Sequence, residues 1–534
     1  MQVVKKKMLN GFSRSFESAF AINNIIGKSN LDFGFDYISN YENIVNSMTA
    51  QDLVNAAAKY LDLNKTAITV VHPSSATPQS ISSNYSGAIS FTGNATSSKK
   101  AINMDNVTEY RAANNFKIIT NDIPTRNSYL SVDFACDKPI QCKPAARFIL
   151  NNLLNEGSMF KTQLELDKNL EKNGISSKMY ADDENIGGIA SCDVNDLQEA
   201  LRNFREVIQN PRFQYDAFLQ AKSDLREDLL RAEKNAFENL QSEIFKGMSE
   251  GYTNKEILDS IDSVTMEDVR ELHKYVMENS KAVVTVSAPF SKQTAAKNTL
   301  FNEIAQFGVV KEFNPYIDDT FKPTAQTKVI TEADNKNQAT IYQSYKFEVN
   351  KNLKDTVTID LLNQILGGGP SSRLFSDLRE TQKLAYSVRS NNYTVDNSGV
   401  LNLSIGTTTE NNETGEVSYD NVQKAINGFN KHISKMLTEK VSAEELNSAK
   451  LSAKNTILSN TETPDDEKEA LTSSAHSVYG NDYANKYLEM VDQITADDIL
   501  TAAKYIFSNK PTYSIVATEN TLKYNENYFK SLEN

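Results

Sequence analysis

The chain has 534 residues, enough to build several hydrophobic cores. Apolar residues make up 39%, which is ordinary for a globular chain, and no stretch approaches the roughly 20 apolar residues of a membrane-spanning helix. The formal net charge of −13 argues against a nucleic-acid partner and for a well-solvated surface.

The first residues, Met1-Gln2-Val3-Val4-Lys5-Lys6-Lys7, are basic, but Asn10, Ser13, Arg14 and Glu17 interrupt any apolar core of a signal peptide. No signal peptide is read here, and the compartment, periplasm or cell envelope or cytoplasm, stays open. Helical apolar positions follow at Phe16, Phe20, Ile22 and Ile25. A motif then occurs for the first of three times: Met48-Thr49-Ala50-Gln51-Asp52…Ala58-Lys59-Tyr60, with the strand-like run Ala67–Val71 behind it. Residues 76–105 are rich in Ser, Thr, Asn and Gly, the composition of a flexible linker.

Beyond the linker, 107–120 reads as a strand pair, and Ser128–Ala135 alternates like a half-buried strand. Residues 144–156 and 214–240 are helical in pattern. The motif returns as Val264-Thr265-Met266-Glu267-Asp268…His273-Lys274-Tyr275 before the strand 282–286. It returns again as Ile494-Thr495-Ala496-Asp497-Asp498…Ala503-Lys504-Tyr505 before the strand 513–517.

In each copy a threonine precedes an aspartate by three residues, close to a capping box, and apolar residues then recur at helical spacing. The motif is therefore structural. Its threonines are 216 and 230 residues apart, the period of a duplicated domain rather than of a solenoid unit. The front ends match too: Ile149–Leu154 aligns with Leu361–Leu366, each followed by glycine, Gly157 and Gly367-Gly368-Gly369.

The expected organisation is a C-terminal domain remnant at 1–75, a linker at 76–105, and full domains at 106–310 and 311–534. The class is α+β, each domain an antiparallel sheet packed with helices. Because the first copy comes only 49 residues in, the chain is expected to begin inside a domain whose front half lies elsewhere. The 1–75 segment should then expose apolar surface, leaving the isolated chain poorly soluble or bound to its other half. The three cysteines, Cys136, Cys142 and Cys192, are odd in number and read as free thiols. The sequons at Asn94 and Asn402 are chance in an Asn-rich chain.

With the repeat and linker stands the run Leu366-Gly367-Gly368-Gly369-Pro370-Ser371-Ser372-Arg373-Leu374-Phe375-Ser376-Asp377-Leu378-Arg379-Glu380…Leu384-Ala385-Tyr386-Ser387-Val388. On these residues the chain resembles the insulinase/pitrilysin family of zinc metallopeptidases. The resemblance implies four α+β domains in two halves that close like a clamshell around a peptide. Residues 1–75 resemble the end of the second domain, and the two full domains resemble the third and fourth.

The family's first domain carries H-x-x-E-H on a helix, two zinc-binding histidines and a glutamate that activates water, with a third ligand, glutamate, some 75 residues later. This chain has four histidines, His72, His273, His432 and His476, and none has a histidine four residues away. The resemblance sets Phe148, Asn151 and Asn152 on the motif positions of the first full domain, and Glu227 near the third. Phenylalanine cannot ligate, asparagine is a poor ligand and no general base, and Glu227 lies on a charged, solvated face. The second full domain has Asp360, Asn363 and Gln364 there. No metal or catalytic residue is expected in this chain, which should be inactive alone, and zinc is expected in a partner half.

Arg379 and Tyr386 stand where the family places an Arg and a Tyr that reach the substrate beside the zinc; guanidinium and phenol donors suit a peptide carbonyl and its developing oxyanion. The structural alternative pairs Arg379 with Glu380 or Asp377 and packs Tyr386 at a strand start. The glycine run is not a phosphate loop, since no Lys-Ser/Thr follows. The implied function is the substrate-binding, non-catalytic half of a split or truncated zinc metallopeptidase, with an H-x-x-E-H half and a peptide as partners. The alternative is a catalytically dead structural subunit of the same fold. A third reading, a lone peptidase with an unfamiliar site, lacks ligands.

Overall fold

The computed structural model describes residues 1–61, 100–136, 141–182, 185–312, 321–349, 352–395, 397–411 and 415–533. The run Ala67–Val71, His72, Asn94 and most of the expected linker lie outside the described residues. The chain divides into two units, Met1–Lys100 and Ala101–Asn534.

Among its described residues the first unit has four helices, α1 (Gln2–Arg14), α2 (Ala19–Asp32), α3 (Asp36–Ser47) and α4 (Ala50–Tyr60). α1 packs on α3, where the Phe12 and Tyr41 rings stack 4.0 Å apart around buried Leu9 and Val45. Thr49 and Asp52 close a full capping box at the start of α4. Of the four apolar positions expected to be exposed, Phe16 and Phe20 face solvent while Ile22 and Ile25 are half-buried; Leu31, Phe33, Phe35 and Leu61 are exposed as well.

The second unit consists of two lobes with one repeated plan. The first lobe runs β1 (Val107–Arg111), β2 (Lys117–Asp122), β3 (Asn127–Cys136), α5 (Ala146–Leu153), α6 (Gln163–Asn173), β4 (Ser176–Ala181), β5 (Asn185–Asp193), α7 (Leu197–Gln209), α8 (Tyr215–Arg231), α9 (Ala236–Ile244), α10 (Asn254–Ser260), α11 (Met266–Asn279), β6 (Ser280–Ala288) and α12 (Thr294–Ile304). The second runs β7 (Lys328–Ala333), β8 (Gln338–Glu348), α13 (Leu353–Leu366), β9 (Ser387–Val395), β10 (Ser398–Thr408), α14 (Asn421–Thr438), α15 (Ala443–Ser459), α16 (Pro464–His476), α17 (Tyr483–Gln493), α18 (Ala496–Phe507), β11 (Pro511–Ala517) and α19 (Glu519–Glu533).

The sheets are ordered β1-β2-β6-β3-β5-β4 and β7-β11-β8-β10-β9. The expected α+β class is what the structure has, but the sheets are not wholly antiparallel. β6 pairs parallel with β2, and β11 parallel with β7. β6 and β11, the strands that follow α11 and α18, return through long helical crossovers, the connection a parallel pair requires. All three motif copies start their helices with the same capping box.

Three boundaries differ from the sequence reading. Ala101 and Ile102, placed in the linker, are buried; their amides donate to Asn485 Oδ1 at 2.8 and 3.3 Å, so the folded body begins before residue 106. The helical pattern 214–240 breaks at Ala232–Asn235 into α8 and α9. β3 is buried on both faces through Phe134 rather than half-buried.

The last two share a cause: each lobe covers the outer face of the other's sheet. α16 lies across β3 and β6, with Ser131 Oγ 2.8 Å from Thr472 Oγ1 and Asn121 Nδ2 donating to Glu467 Oε2 at 2.7 Å. α9 lies across β8 and β11, and the buried Lys346 ammonium donates to the Ile244 carbonyl at 3.1 Å. No helix of the described residues is long and apolar enough to cross a membrane.

Candidate functional site

The first motif helix, α5, is held by its own side chains. Asn151 Oδ1 accepts from the Ala181 amide at 3.0 Å, and Asn155 bonds both the carbonyl and the amide of Met179, so the pair fastens α5 to edge strand β4. Phe148 packs against the core under the Arg147 guanidinium, 4.7 Å from its ring centroid. Asn152 is exposed. Glu227 lies on α8, which packs against α5, but its exposed carboxylate pairs with Arg231 one turn on.

These residues do not fit a zinc ion. One position has no donor atom, the oxygen of another is spent on a strand amide, and the only carboxylate belongs to a surface pair. No group of three His, Cys, Asp or Glu among the described residues could hold a metal. Of the histidines, buried His273 meets the Ile208 carbonyl through Nε2 at 2.6 Å, while His432 and His476 pair with Asp377 and Asp133, both at 2.8 Å.

The second motif helix, α13, also spends its motif positions on structure. Asp360 is held between Asn392 Nδ2 at 2.7 Å and the Tyr487 hydroxyl at 2.8 Å; burial pushes its carboxyl above the usual range against the pull of those two bonds. The Asn363 carbonyl accepts from the Gly367 and Gly368 amides at 3.0 and 2.9 Å, and its side chain accepts from Ser390 Oγ at 2.6 Å. Gln364 crowds Gly368, where an added Cβ would sit 2.7 Å from the Gln364 Cα.

The glycine loop therefore lies flat against β9. A Cβ on Gly367 would come within 2.4 Å of the Ser390 amide nitrogen, a contact only glycine avoids. From this anchor the chain enters a π-helical turn, Phe375–Thr381, a form common at functional sites. The Leu384 amide donates to the Leu378 carbonyl at 2.9 Å, and Lys383 takes a left-handed φ of +53° to allow it. Such a conformation costs free energy and persists only where neighbours impose it.

The turn brings Arg379 and Tyr386 together. The Arg379 guanidinium lies 4.6 Å from the Phe375 ring centroid and 5.4 Å from that of Tyr386, a cation between two aromatic faces. Its carboxylate neighbour is Glu380, at 3.7 Å, as the structural alternative foresaw; Asp377 is engaged elsewhere. Tyr386 does not pack into the strand start: it is 82% exposed at the head of β9. The result is a preorganised guanidinium beside a solvent-facing phenol, two donor groups open to a ligand carbonyl or carboxylate.

Two supports beneath the turn were not read from the sequence. Burial opposes ionisation of Asp377, but bonds from Gln382 at 3.0 Å, Lys431 at 2.7 Å and His432 outweigh it and hold its carboxyl well below the usual range. Arg373 forks onto Glu445 at 2.6 and 3.0 Å, and Glu445 also caps α15 through the Ser442 amide at 2.9 Å. The Arg373 hydrogen bond leads the effects that bring the Glu445 pKa down to about 2. A depressed acid stabilises the fold above its unfolded pKa of about 4.3, and that contribution is lost as pH falls through the folded value. Glu445→Gln should therefore cost about 1–2 kcal/mol at neutral pH and flatten the loss of stability between about pH 4.3 and pH 2. Urea midpoints of both proteins across that window check this.

Comparison with known proteins follows the repeat. Residues 146–255 match the family model described as insulinase (peptidase family M16), and residues 263–452 match that of the peptidase M16 inactive domain. A protein of Rickettsia felis described as an uncharacterized zinc protease is 24% identical over 381 residues, covering 69% of this chain and 86% of that protein. The non-peptidase homolog YmxG of Helicobacter pylori is 24% identical over 242 residues, 44% of this chain and 55% of its own length. The crystal structure of a Helicobacter pylori protease superposes with a TM-score of 0.66 at 18% identity, over 77% of this chain and 99% of that one. The periplasmic protease PqqL of Escherichia coli superposes at 0.63 and 12% identity over 89% of this chain, which spans about half (52%) of that protein.

Proposed function

The chain belongs to the insulinase (peptidase M16) family, and from that premise we propose that it is a non-catalytic, peptide-binding member that works beside a separate zinc-bearing H-x-x-E-H half. The observation that carries this reading is the Arg379–Tyr386 pair. A π-helical turn, a left-handed lysine and a glycine loop are maintained around it, yet nothing buries its phenol. Arg379 and Tyr386 hold a carbonyl of an extended peptide, and the partner's zinc centre performs the hydrolysis. The first motif helix supports the division of labour, since Phe148, Asn151 and Asn152 are committed to packing, to a strand amide and to solvent.

The chain contains no tryptophan, so an unstructured tryptophan-containing peptide reports its own binding by fluorescence anisotropy. Arg379→Ala should weaken that binding about tenfold, roughly 1.4 kcal/mol, and Tyr386→Phe by a smaller factor. In a mixture with a zinc-bearing half, the double variant should lose cleavage while the complex still forms. Unchanged cleavage by the double variant would favour the second reading, a structural subunit. That reading draws on Phe148 and Asn151, spent on packing and on a strand amide, and on a relative described as a non-peptidase homolog.

A further inference from the structure

We infer that the cavity where the two lobes of the second unit meet, floored by Lys346 and rimmed by Lys246 and Lys322, is a binding site for a phosphate-bearing small molecule. Its volume is about 850 Å³, the size of an ordinary small-ligand pocket. Both lobes build it. The end of α9 and the turn behind it, 243–248, come from the first lobe. The segment 322–328, Lys346 on β8, Ser398 on β10 and Thr512 on β11 come from the second.

The charge of the lining runs against that of the chain. The net charge of the whole is −13, yet among the described residues four lysines and only two glutamates line this cavity. Both glutamates are already committed. Glu243 pairs with Lys328 at 2.5 Å, and Glu533 Oε1 accepts from the Val329 amide at 2.9 Å. Lys246, Lys322 and Lys346 form no ion pair with any described residue. Three ammonium groups therefore face one space with no local counter-charge, and an anion is the ligand that such a space favours.

Lys346 carries the inference furthest. It is 6% exposed, and a lysine so buried is ordinarily paired with an acid. Here the ammonium has only the Ile244 carbonyl, at 3.1 Å, and the face of the Phe245 ring, 5.2 Å from its centroid. An ammonium has three donors, and one carbonyl takes one of them. Burial and the nearby Lys322 charge both pull the Lys346 pKa down, so a bound anion would relieve each strain on the charged form. The hydroxyls of buried Ser398 and Thr512, on the same floor, bond no described residue. This donor set selects phosphate over carboxylate. No arginine is among the described lining residues to fork onto a planar carboxylate. Ammonium and hydroxyl groups are single-point donors, and reaching from several sides they suit the tetrahedral oxygens of a phosphate. Because the walls belong to different lobes, the occupant also ties α9 to the segment 322–328 and stabilises the pair.

The cavity shares no residue with the Arg379–Tyr386 site, and its test needs neither zinc nor a peptide, so the two readings stand or fall separately. Isothermal titration calorimetry on the full chain uses pyrophosphate, phenyl phosphate and citrate as probes. At least one of the two phosphates should saturate a single site with a Kd below about 1 mM. Tighter binding of pyrophosphate would mark a diphosphate as the ligand, and tighter binding of phenyl phosphate an organic monophosphate. Lys322→Ala alters an exposed residue, and Lys346→Met keeps the buried bulk; each should weaken binding at least about tenfold, the loss of one charged hydrogen bond. Lys435→Ala, on exposed surface of α14 outside the cavity, should leave it unchanged. The saturating phosphate should raise the urea midpoint of the wild-type chain and not that of Lys322→Ala. Citrate bound as tightly as the phosphates would overturn the choice of phosphate. Absence of saturable binding by either phosphate, or binding that either cavity-lysine variant leaves unchanged, would overturn the site.

Discussion

Gly367→Val is expected to destabilise the second lobe by about 3–5 kcal/mol and to abolish peptide binding with Arg379 and Tyr386 both intact. The first Cβ would sit 2.4 Å from the Ser390 backbone nitrogen and 2.9 Å from the Arg389 carbonyl carbon, so no rotamer change relieves the clash. Overpacking alone costs about 1–3 kcal/mol. Separating the loop from β9 also breaks the bond from the Ser390 amide to the Gly367 carbonyl, at 2.9 Å, and the Ser390–Asn363 bond, each about 1 kcal/mol. Because Tyr386 heads β9 and Arg379 hangs from the loop through the π-turn, the two sides of the site move apart. Gly369→Ala is the control, since a Cβ there meets nothing within 4 Å. Urea denaturation and peptide anisotropy should separate the two variants cleanly. A Gly367→Val protein of wild-type stability would mean that the loop does not anchor the site.

The features legible in the sequence are those written over short distances. The capping boxes at Thr49, Thr265 and Thr495 are local hydrogen-bond patterns, and the structure forms all three. The strand pair at 107–120 is a hairpin of β1 and β2, joined by residues 112–116 with Asn115 at φ +70°. Arg379 and Tyr386 were readable as a pair through the resemblance carried by the surrounding motif, and the π-helical turn bridges their seven-residue spacing. What was not legible depends on partners far along the chain. Glu445 is 72 residues from Arg373, and Asp377 is 54 from Lys431; no spacing rule connects them. The parallel pairing of β6 with β2 needs the whole first lobe to be in place. β3 reads as half-buried because its second face carries Ser131 and Asp133, polar residues that look like a solvent side. In the fold they meet Thr472 and His476 of the other lobe.

That polar face carries the other large effect. Asp133→Ala should cost about 2–4 kcal/mol and split denaturation of the second unit into two transitions. The carboxylate is buried, accepts from the Tyr180 hydroxyl at 3.0 Å within its own sheet, and pairs with His476 Nε2 at 2.8 Å on α16 of the opposite lobe. Burial and the Asp133 charge push the Tyr180 phenol far above its usual range, so it stays a donor at any ordinary pH. Removing the acceptor strands a half-buried phenol and breaks the close contact with His476, and leaving such groups without a partner costs more than the intact contacts contribute. Each sheet depends on a helix of the other lobe to cover its outer face, α16 on one and α9 on the other, so the lobes should normally unfold as one cooperative unit. Loosening α16 uncovers β3 and β6 while leaving α9 seated on β8 and β11, and the first lobe should then open at lower urea than the second. Asp133→Asn, which keeps one acceptor oxygen for Tyr180, should fall between the two. Exchange protection followed through the transition would show whether β3 amides open ahead of those of β8. A single transition with a shift below about 1 kcal/mol would mean that apolar packing alone couples the lobes.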